Sequence, residues 1–453
     1  MNASTSLIWD DQALKEYLDS FSTEDQEYWS FRSNAVRKNM HGYFQYPAMM
    51  VPSMQGELIG AVLKASPNIK SIFDPFAGSG TTLTEAMLNG LDYTGYDINP
   101  LAVLVCRAKQ GPFFARAIRD HLARLLSEVR RDTSSGLETD FPGLSKWYKP
   151  KVAVELSRLR RSIRELPTVQ VRRFFWVVLA EAARVTSNSR TSTFKLHIRS
   201  QEDIAQRELS PIQIFEETAI RNLGKLIEQQ RELKQRNLLT SGHYKGAVNI
   251  HLKDTSKLDP SDHERPLHDL LVTSPPYGDN VSTVTYGQFS YLPLNWIDSE
   301  DIEPAMDASW LKSTHEIDSR SLGGSRKYAL DVVDHLRSIS PAFGETIDNL
   351  LDQPRDRRVR ATAFIRDLDR CLETVMASLR TGAYLLWTVG NRRVGDYAVP
   401  LDRILVDLLK PRGAVPVAKI ERRIPSKRMA VRNSISSTMR SETILILRKE
   451  ATT

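Results

Sequence analysis

The chain reads as an α/β protein, a doubly wound and mostly parallel sheet with a long helical segment inserted into it. Three observations carry that expectation. Short apolar runs bounded by turn residues alternate with stretches of helical periodicity. The run Ile69 to Asp74 passes through a glycine-bearing turn straight into a helical stretch, as a strand does at a ligand-binding βα switch. The alternation is broken from about 110 to 244, over a length no structureless loop reaches inside a compact domain.

Taken in order, residues 1–45 read as a polar helical arm with the aromatics Trp9, Tyr17, Phe21, Tyr28, Trp29 and Phe31. Tyr43 to Pro47 reads as extended chain. Pro52 suits the first turn of a helix running to about Lys64, with Met54, Leu58, Ala61 and Val62 at helical spacing. Ile69 to Asp74 is a strand, and Thr81 to about Asn89 a helix stopped by Gly90. Tyr93 to Asp97 is the second strand. Residues 110–244 are basic and helical in pattern and carry Trp147, Tyr148, Phe174, Phe175 and Trp176, so an inserted helical subdomain is expected, with Trp176 and its neighbours read as core rather than as base-stacking residues. Alternation resumes with Val248 to Leu252 and Leu270 to Thr273. An irregular insertion follows at 298–359. Then come a helix near 364–379, the strand Ala383 to Val389, a helix near 400–409 and the strands Val415 to Ile420 and Thr443 to Leu447. A long loop joins the last two, which are expected to run antiparallel. Residues 46–109 and 245–453 together make the sheet domain.

Composition narrows the class. With 453 residues the chain can bury a large core. Hydrophobic residues make up 41% and charged residues 26%, the balance of a soluble globular protein. No stretch approaches the ~18 apolar residues that cross a bilayer. Met1 to Asp11 lacks the basic and apolar segments of a signal peptide, so a cytoplasmic protein is expected. The two cysteines, Cys106 and Cys371, offer no disulfide framework, and no metal-ligand spacing appears. Sixty-two basic residues against 55 acidic ones give a net charge of +7. The excess clusters at Arg158 to Arg173, Arg355 to Arg360 and Arg412 to Arg440, which points toward nucleic acid.

Two motifs carry the chemistry. In Phe73-Asp74-Pro75-Phe76-Ala77-Gly78-Ser79-Gly80-Thr81-Thr82, Gly78 and Gly80 permit a tight turn and close approach to a ligand at a helix N-terminus. Asp97 ends the next strand near the spacing of a carboxylate that binds ribose hydroxyls. Leu83 stands where a dinucleotide fingerprint has its third glycine, and no triphosphate loop occurs. A cofactor with both an amino group and a ribose, such as S-adenosylmethionine, suits Asp74 and Asp97 better. The second motif, Ser274-Pro275-Pro276-Tyr277, ends a buried strand. Its prolines remove two N–H donors, leaving carbonyls and the Ser274 hydroxyl beside an aromatic plate. That set suits a flat ring with an exocyclic amine, as in cytosine or adenine.

Together these motifs resemble the amino-methylating DNA methyltransferases, which modify cytosine N4 or adenine N6 with S-adenosylmethionine. The resemblance covers about 46–108 and 246–449. It implies the seven-stranded Rossmann-like sheet of class I methyltransferases. Asp74, Phe76, Gly78, Gly80, Thr81, Asp97 and Asp254 would bind cofactor, with Asp97 at the ribose and Asp254 at the adenine. Ser274, Pro275, Pro276 and Tyr277 would be catalytic. Tyr46-Pro47 matches the family's element before the glycine motif. Ile424 to Met429 resembles a DNA-gripping loop, so Lys427, Arg428 and Arg432 would contact DNA. Implied partners are double-stranded DNA and a cognate restriction endonuclease, with no metal and no membrane. Residues 110–244 become a candidate for target recognition.

On this reading Ser274 and the Pro275 carbonyl hold the amine of a base extruded from the duplex, while Tyr277 stacks on it. Cytosine N4 is favoured over adenine N6. Methylation at cytosine C5 would need a nucleophilic cysteine, and Cys106 and Cys371 read as helical core residues. The rival expectations are an RNA methyltransferase acting on a guanine amine and a DNA-binding protein with a decayed methylase fold.

Overall fold

The computed structural model describes residues 9–25, 27–31, 37–259, 267–280, 282–395, 397–424, 439 and 441–451. A seven-stranded sheet forms its centre. In chain order the strands are β1 (Ser71–Asp74), β2 (Asp92–Asp97), β3 (Val248–Leu252), β4 (His268–Thr273), β5 (Leu379–Val389), β6 (Ala414–Arg423) and β7 (Ser441–Lys449). Across the sheet the order is β6-β7-β5-β4-β1-β2-β3. The five strands from β5 to β3 run parallel, with Ile72 level with Tyr93 on one side and Leu270 on the other. β7 is antiparallel to both β5 and β6.

Burial explains why these strands read as apolar runs. All six residues of β4 are buried, as is β5 from Gly382 to Val389. Parallel strands are covered on both faces and have no solvent side to alternate toward. The chain lays β2 and β3 on one side of β1, then crosses to the other side for β4 and β5. Right-handed crossovers in opposite directions place helices on opposite faces, and a crevice opens between β1 and β4 at the strand ends.

The flanking helices follow the sequence pattern. Pro52–Ala65 packs on Thr81–Leu88, and Gly90 (φ 73°) turns the chain after the latter. Arg355–Ala377 starts well before the expected 364. Its first turns are charged and only partly buried, so no apolar stripe marked them. Residues 110–244 hold six helices, the longest being Pro211–Gln235, and end in a short antiparallel pair, Leu239–Thr240 with His243–Tyr244. Val169–Thr186 packs against Pro100–Lys109, beside the sheet. Trp176 is fully buried there and donates to Asp301 Oδ2 at 2.6 Å.

The basic cluster at 158–173 is drawn into this packing. Arg160 and Arg164 pair with Asp298, Arg161 with Asp132 and Glu138, and Arg172 with Asp301. The pairs with Asp298 and Asp301 clasp the helical segment to the start of the 298–359 insertion. Among the described residues, no helix is long and apolar enough to cross a membrane.

Candidate active site

Each half of the site begins at the carboxyl end of a strand. β1 ends in Asp74, fully buried beneath the turn that follows it. Its Oδ1 accepts from Thr273 Oγ1 at 2.7 Å and from the Phe76 amide at 3.2 Å. Oδ2 has no hydrogen-bond partner among the described residues. Burial pushes the carboxyl pKa up to about 6, against those two bonds.

The turn itself depends on glycine. Gly78 and Gly80 adopt φ of 50° and 71°, a region that costs other residues energy. A Cβ on Gly80 would lie 3.0 Å from Cys106 Sγ. The Gly78 amide donates to Asp97 Oδ2 at 2.8 Å, and the Asn99 amide donates to Oδ1 at 2.7 Å. Burial raises the Asp97 pKa to about 6, which these amides oppose. Each oxygen keeps a lone pair for a further donor. Beneath the turn, the fully buried Lys109 donates to the Ser79 carbonyl at 2.6 Å, and burial pushes its pKa down to about 8.

β4 supplies the other half. Ser274 Oγ lies 3.2 Å from the Tyr277 hydroxyl, which donates to Glu442 Oε1 at 3.1 Å on β7. Arg422 Nη2 holds Glu442 Oε2 at 2.6 Å. Tyr277 is thus fixed at its polar end, and burial followed by the Glu442 charge keeps its hydroxyl protonated. A Cβ on Gly390 would sit 2.7 Å from Tyr277 Cδ2, so glycine there makes room for the ring.

One cavity of about 600 Å³ joins the halves. Phe76, Gly78, Thr81, Asp97, Asp254, Ser274 and Pro276 all line it. Asp74 and Gly80 lie under the turn, and Pro275 and Tyr277 stand beside the lining rather than on it. Asp254 caps the turn Thr255–Lys257, accepting from the Ser256 amide and hydroxyl and pairing with Lys257 at 3.1 Å. Lys427, Arg428 and Arg432 fall outside the described residues. In the described part of the basic clusters, Arg360 pairs with Asp356, Lys419 with Asp402 and Arg422 with Glu442.

The structure also brings in residues the sequence reading did not single out. Tyr286 stacks on Tyr46 with centroids 5.7 Å apart, and both line the cavity. Asn99 Nδ2 bridges the Tyr46 and Ser290 hydroxyls at 2.8 Å each. Asn99-Pro100 signals a helix cap in sequence, and its Oδ1 does accept from the Leu101 amide, but nothing marked its second task. A strap from Arg320 to Val332, inside the expected irregular insertion, forms another wall. Arg366 ties that strap down through the Ser325 and Lys327 carbonyls, both at 2.8 Å. Asp367 accepts from the Gly323 amide at 2.9 Å. Cys106 and Cys371 are both buried with raised thiol pKa values, though Cys371 also borders the cavity. Among the described residues, no cluster of three or more His, Cys, Asp or Glu is placed to hold a metal ion.

Comparison with known proteins agrees with this geometry. A family model described as DNA methylase matches residues 8–105. The Type II methyltransferase M.MvaI of Kocuria varians is 30% identical over 455 residues, covering 97% of each chain. The Type II methyltransferase M.MjaII of Methanocaldococcus jannaschii is 31% identical over 94 residues, 20% of this chain and 17% of its own. Among solved structures, the rRNA methyltransferase AviRa of Streptomyces viridochromogenes aligns over 92% of each chain with 10% identity and a TM-score of 0.31. A likeness at that score adds nothing to the fold assignment, which stands on strand order. With a near full-length relative at 30% identity and both motifs on one cavity, the chain belongs to the amino-methylating, cytosine-N4 or adenine-N6, DNA methyltransferase family.

Proposed function

We propose that this chain transfers a methyl group from S-adenosylmethionine to the exocyclic amine of a base flipped out of duplex DNA, with cytosine N4 preferred to adenine N6. The observation that carries the reading is the shared cavity. Turn residues Phe76, Gly78 and Thr81 and strand-end residues Ser274 and Pro276 face the same space.

The residues fit the cofactor. The cavity volume lies within the ~300–1,000 Å³ usual for small-molecule sites. Asp97 offers two oxygens with spare lone pairs for ribose hydroxyls, and Asp254 an acceptor for an adenine amine. The N-terminus of Thr81–Leu88, with the Ser79 and Thr81 hydroxyls, suits a carboxylate. S-adenosylmethionine supplies, when bound, a sulfonium methyl that the amine nitrogen takes with loss of one proton.

The chain's own residues make that nitrogen reactive. Its lone pair is delocalised into the base ring. Ser274 Oγ and the Pro275 carbonyl accept its two N–H groups, drawing it toward tetrahedral geometry. Tyr277, held by Glu442, stacks on the base, and Ser274 rotates from the Tyr277 hydroxyl to the amine. Holding both reactants in place supplies much of the rate gain. Lys427, Arg428 and Arg432 approach the DNA backbone in this reading, and the helical segment 110–244 takes part in target recognition. In this reading the activity is cytoplasmic and works beside a cognate restriction endonuclease.

The test is mass spectrometry of nucleosides from the DNA of an expressing host. N4-methylcytosine is expected, and N6-methyladenine would move the preference. Absence of both, together with label transfer onto tRNA, would replace the substrate with RNA. Absence of cofactor binding by calorimetry would leave a decayed DNA-binding protein.

A further inference from the structure

Resting on that DNA reading, we infer that the hairpin 188–199 is a docking element for duplex DNA beside the target base. Ser189 and Ile198 form an antiparallel bridge. The Arg190 amide donates to the His197 carbonyl at 2.8 Å, and the Arg199 amide to the Asn188 carbonyl at 3.0 Å. Asn188 anchors the base of the hairpin, donating from its amide and its side chain to the Trp147 and Lys146 carbonyls.

The hairpin lies against the helix Tyr286–Leu294, whose first residue lines the cavity. Gln288 Oε1 accepts from the Leu196 amide at 3.1 Å, and Thr285 Oγ1 donates to the Phe194 carbonyl at 3.5 Å. The Phe194 ring meets Phe289 edge-on at 5.9 Å, and Phe289 meets Tyr46 of the cavity wall at 6.1 Å. The rings of Phe194, Phe289 and Tyr46 thus connect the hairpin to the cavity wall.

Its surface is both cationic and apolar. Arg190, Lys195 and His197 are exposed, and Phe194 and Ile198 keep 41% and 39% of their surface in solvent. From 188 to 199 the hairpin carries Arg190, Lys195 and Arg199 and no acidic residue, while Arg184 on the helix before it is paired with Glu181 at 2.7 Å. The cluster at 158–173 is tied up by carboxylates, whereas the hairpin 188–199 holds no carboxylate of its own. Cations positioned on phosphates, beside an apolar side chain that can press between base steps, are the tools of proteins that deform a duplex. Unstacking next to the cavity would assist extrusion of the target base.

The experiment follows the anisotropy of a labelled duplex with the full chain over a salt series. Arg190→Gln with Lys195→Gln is expected to flatten the slope of log affinity against log salt by about 2, one for each lost phosphate contact. Phe194→Ser is expected to lower kcat/KM on duplex DNA more than on the same target base in a single strand. Cofactor affinity, measured alongside, reports whether each variant is folded, and Arg190→Ala with Lys195→Ala provides a second version. An unchanged slope in a folded variant overturns the hairpin's role. A wild-type chain that does not bind duplex DNA instead overturns the proposed substrate.

Discussion

Thr273 Oγ1 donates a 2.7 Å hydrogen bond to Asp74 Oδ1, and that bond joins the two halves of the site. The residues are 199 positions apart, yet each ends a strand, and the strands are neighbours in the sheet. The glycine turn follows one and Ser274 the other, so the bond sets the spacing between the cofactor side and the base side.

Thr273→Val keeps the shape but removes the donor. Asp74 is then left with an unmade bond in a dry environment, a loss of about 1–3 kcal/mol. A lower urea midpoint with an unchanged slope is the expected outcome, accompanied by reduced turnover. A midpoint equal to wild type would show that the bond contributes nothing.

Asp74 also gives stability a pH dependence. Burial lifts its folded pKa from 3.8 to about 6. The folded state therefore holds a proton that the unfolded chain releases between those values. Its contribution is complete below about pH 4 and is lost as pH rises through about 6, a span of roughly 3 kcal/mol. Relative to Asp74→Asn, wild-type unfolding free energy should fall across this window and then level off. Urea titrations of both proteins from pH 4 to 8 measure it, and parallel curves would contradict the assignment.

In the proposed mechanism Tyr277→Ala removes a stacking plate worth ~1–3 kcal/mol, so kcat/KM is expected to fall about 10- to 100-fold. Tyr277→Phe keeps the plate and frees Ser274 from its hydroxyl partner, with a smaller loss. Ser274→Ala combined with Tyr277→Ala should be close to inactive in a label-transfer assay. Full activity in that double variant would remove the assigned chemistry.

Asp97→Ala leaves the Gly78 and Asn99 amides without their acceptor and takes away the proposed partner for ribose. Calorimetry should show S-adenosylmethionine affinity reduced about 10- to 100-fold, with DNA affinity close to wild type.

Arg366→Ala tests the strap. It removes two donors from the Ser325 and Lys327 carbonyls and leaves the sheet intact. Proteolysis within 320–332 should quicken and cofactor affinity should fall, while the urea midpoint moves little.

The sequence by itself determined the sheet and the two motifs. Strands such as β4 are buried on both faces, so they appear as short apolar runs, here Leu270 to Val272, whose brevity and flanking turn residues mark them as strands. Gly78 and Gly80 stand out because left-handed backbone selects glycine, and Ser274 to Tyr277 because consecutive prolines end a strand. Only the tertiary structure decided what surrounds them. The Tyr286 stack on Tyr46, the Asn99 bridge and the strap under Arg366 join residues from separate parts of the chain, and none has a local spacing. Charge was legible as composition but not as role, because an arginine at 161 that meets Asp132 and one at 190 that faces solvent look alike until folding supplies or withholds the carboxylate.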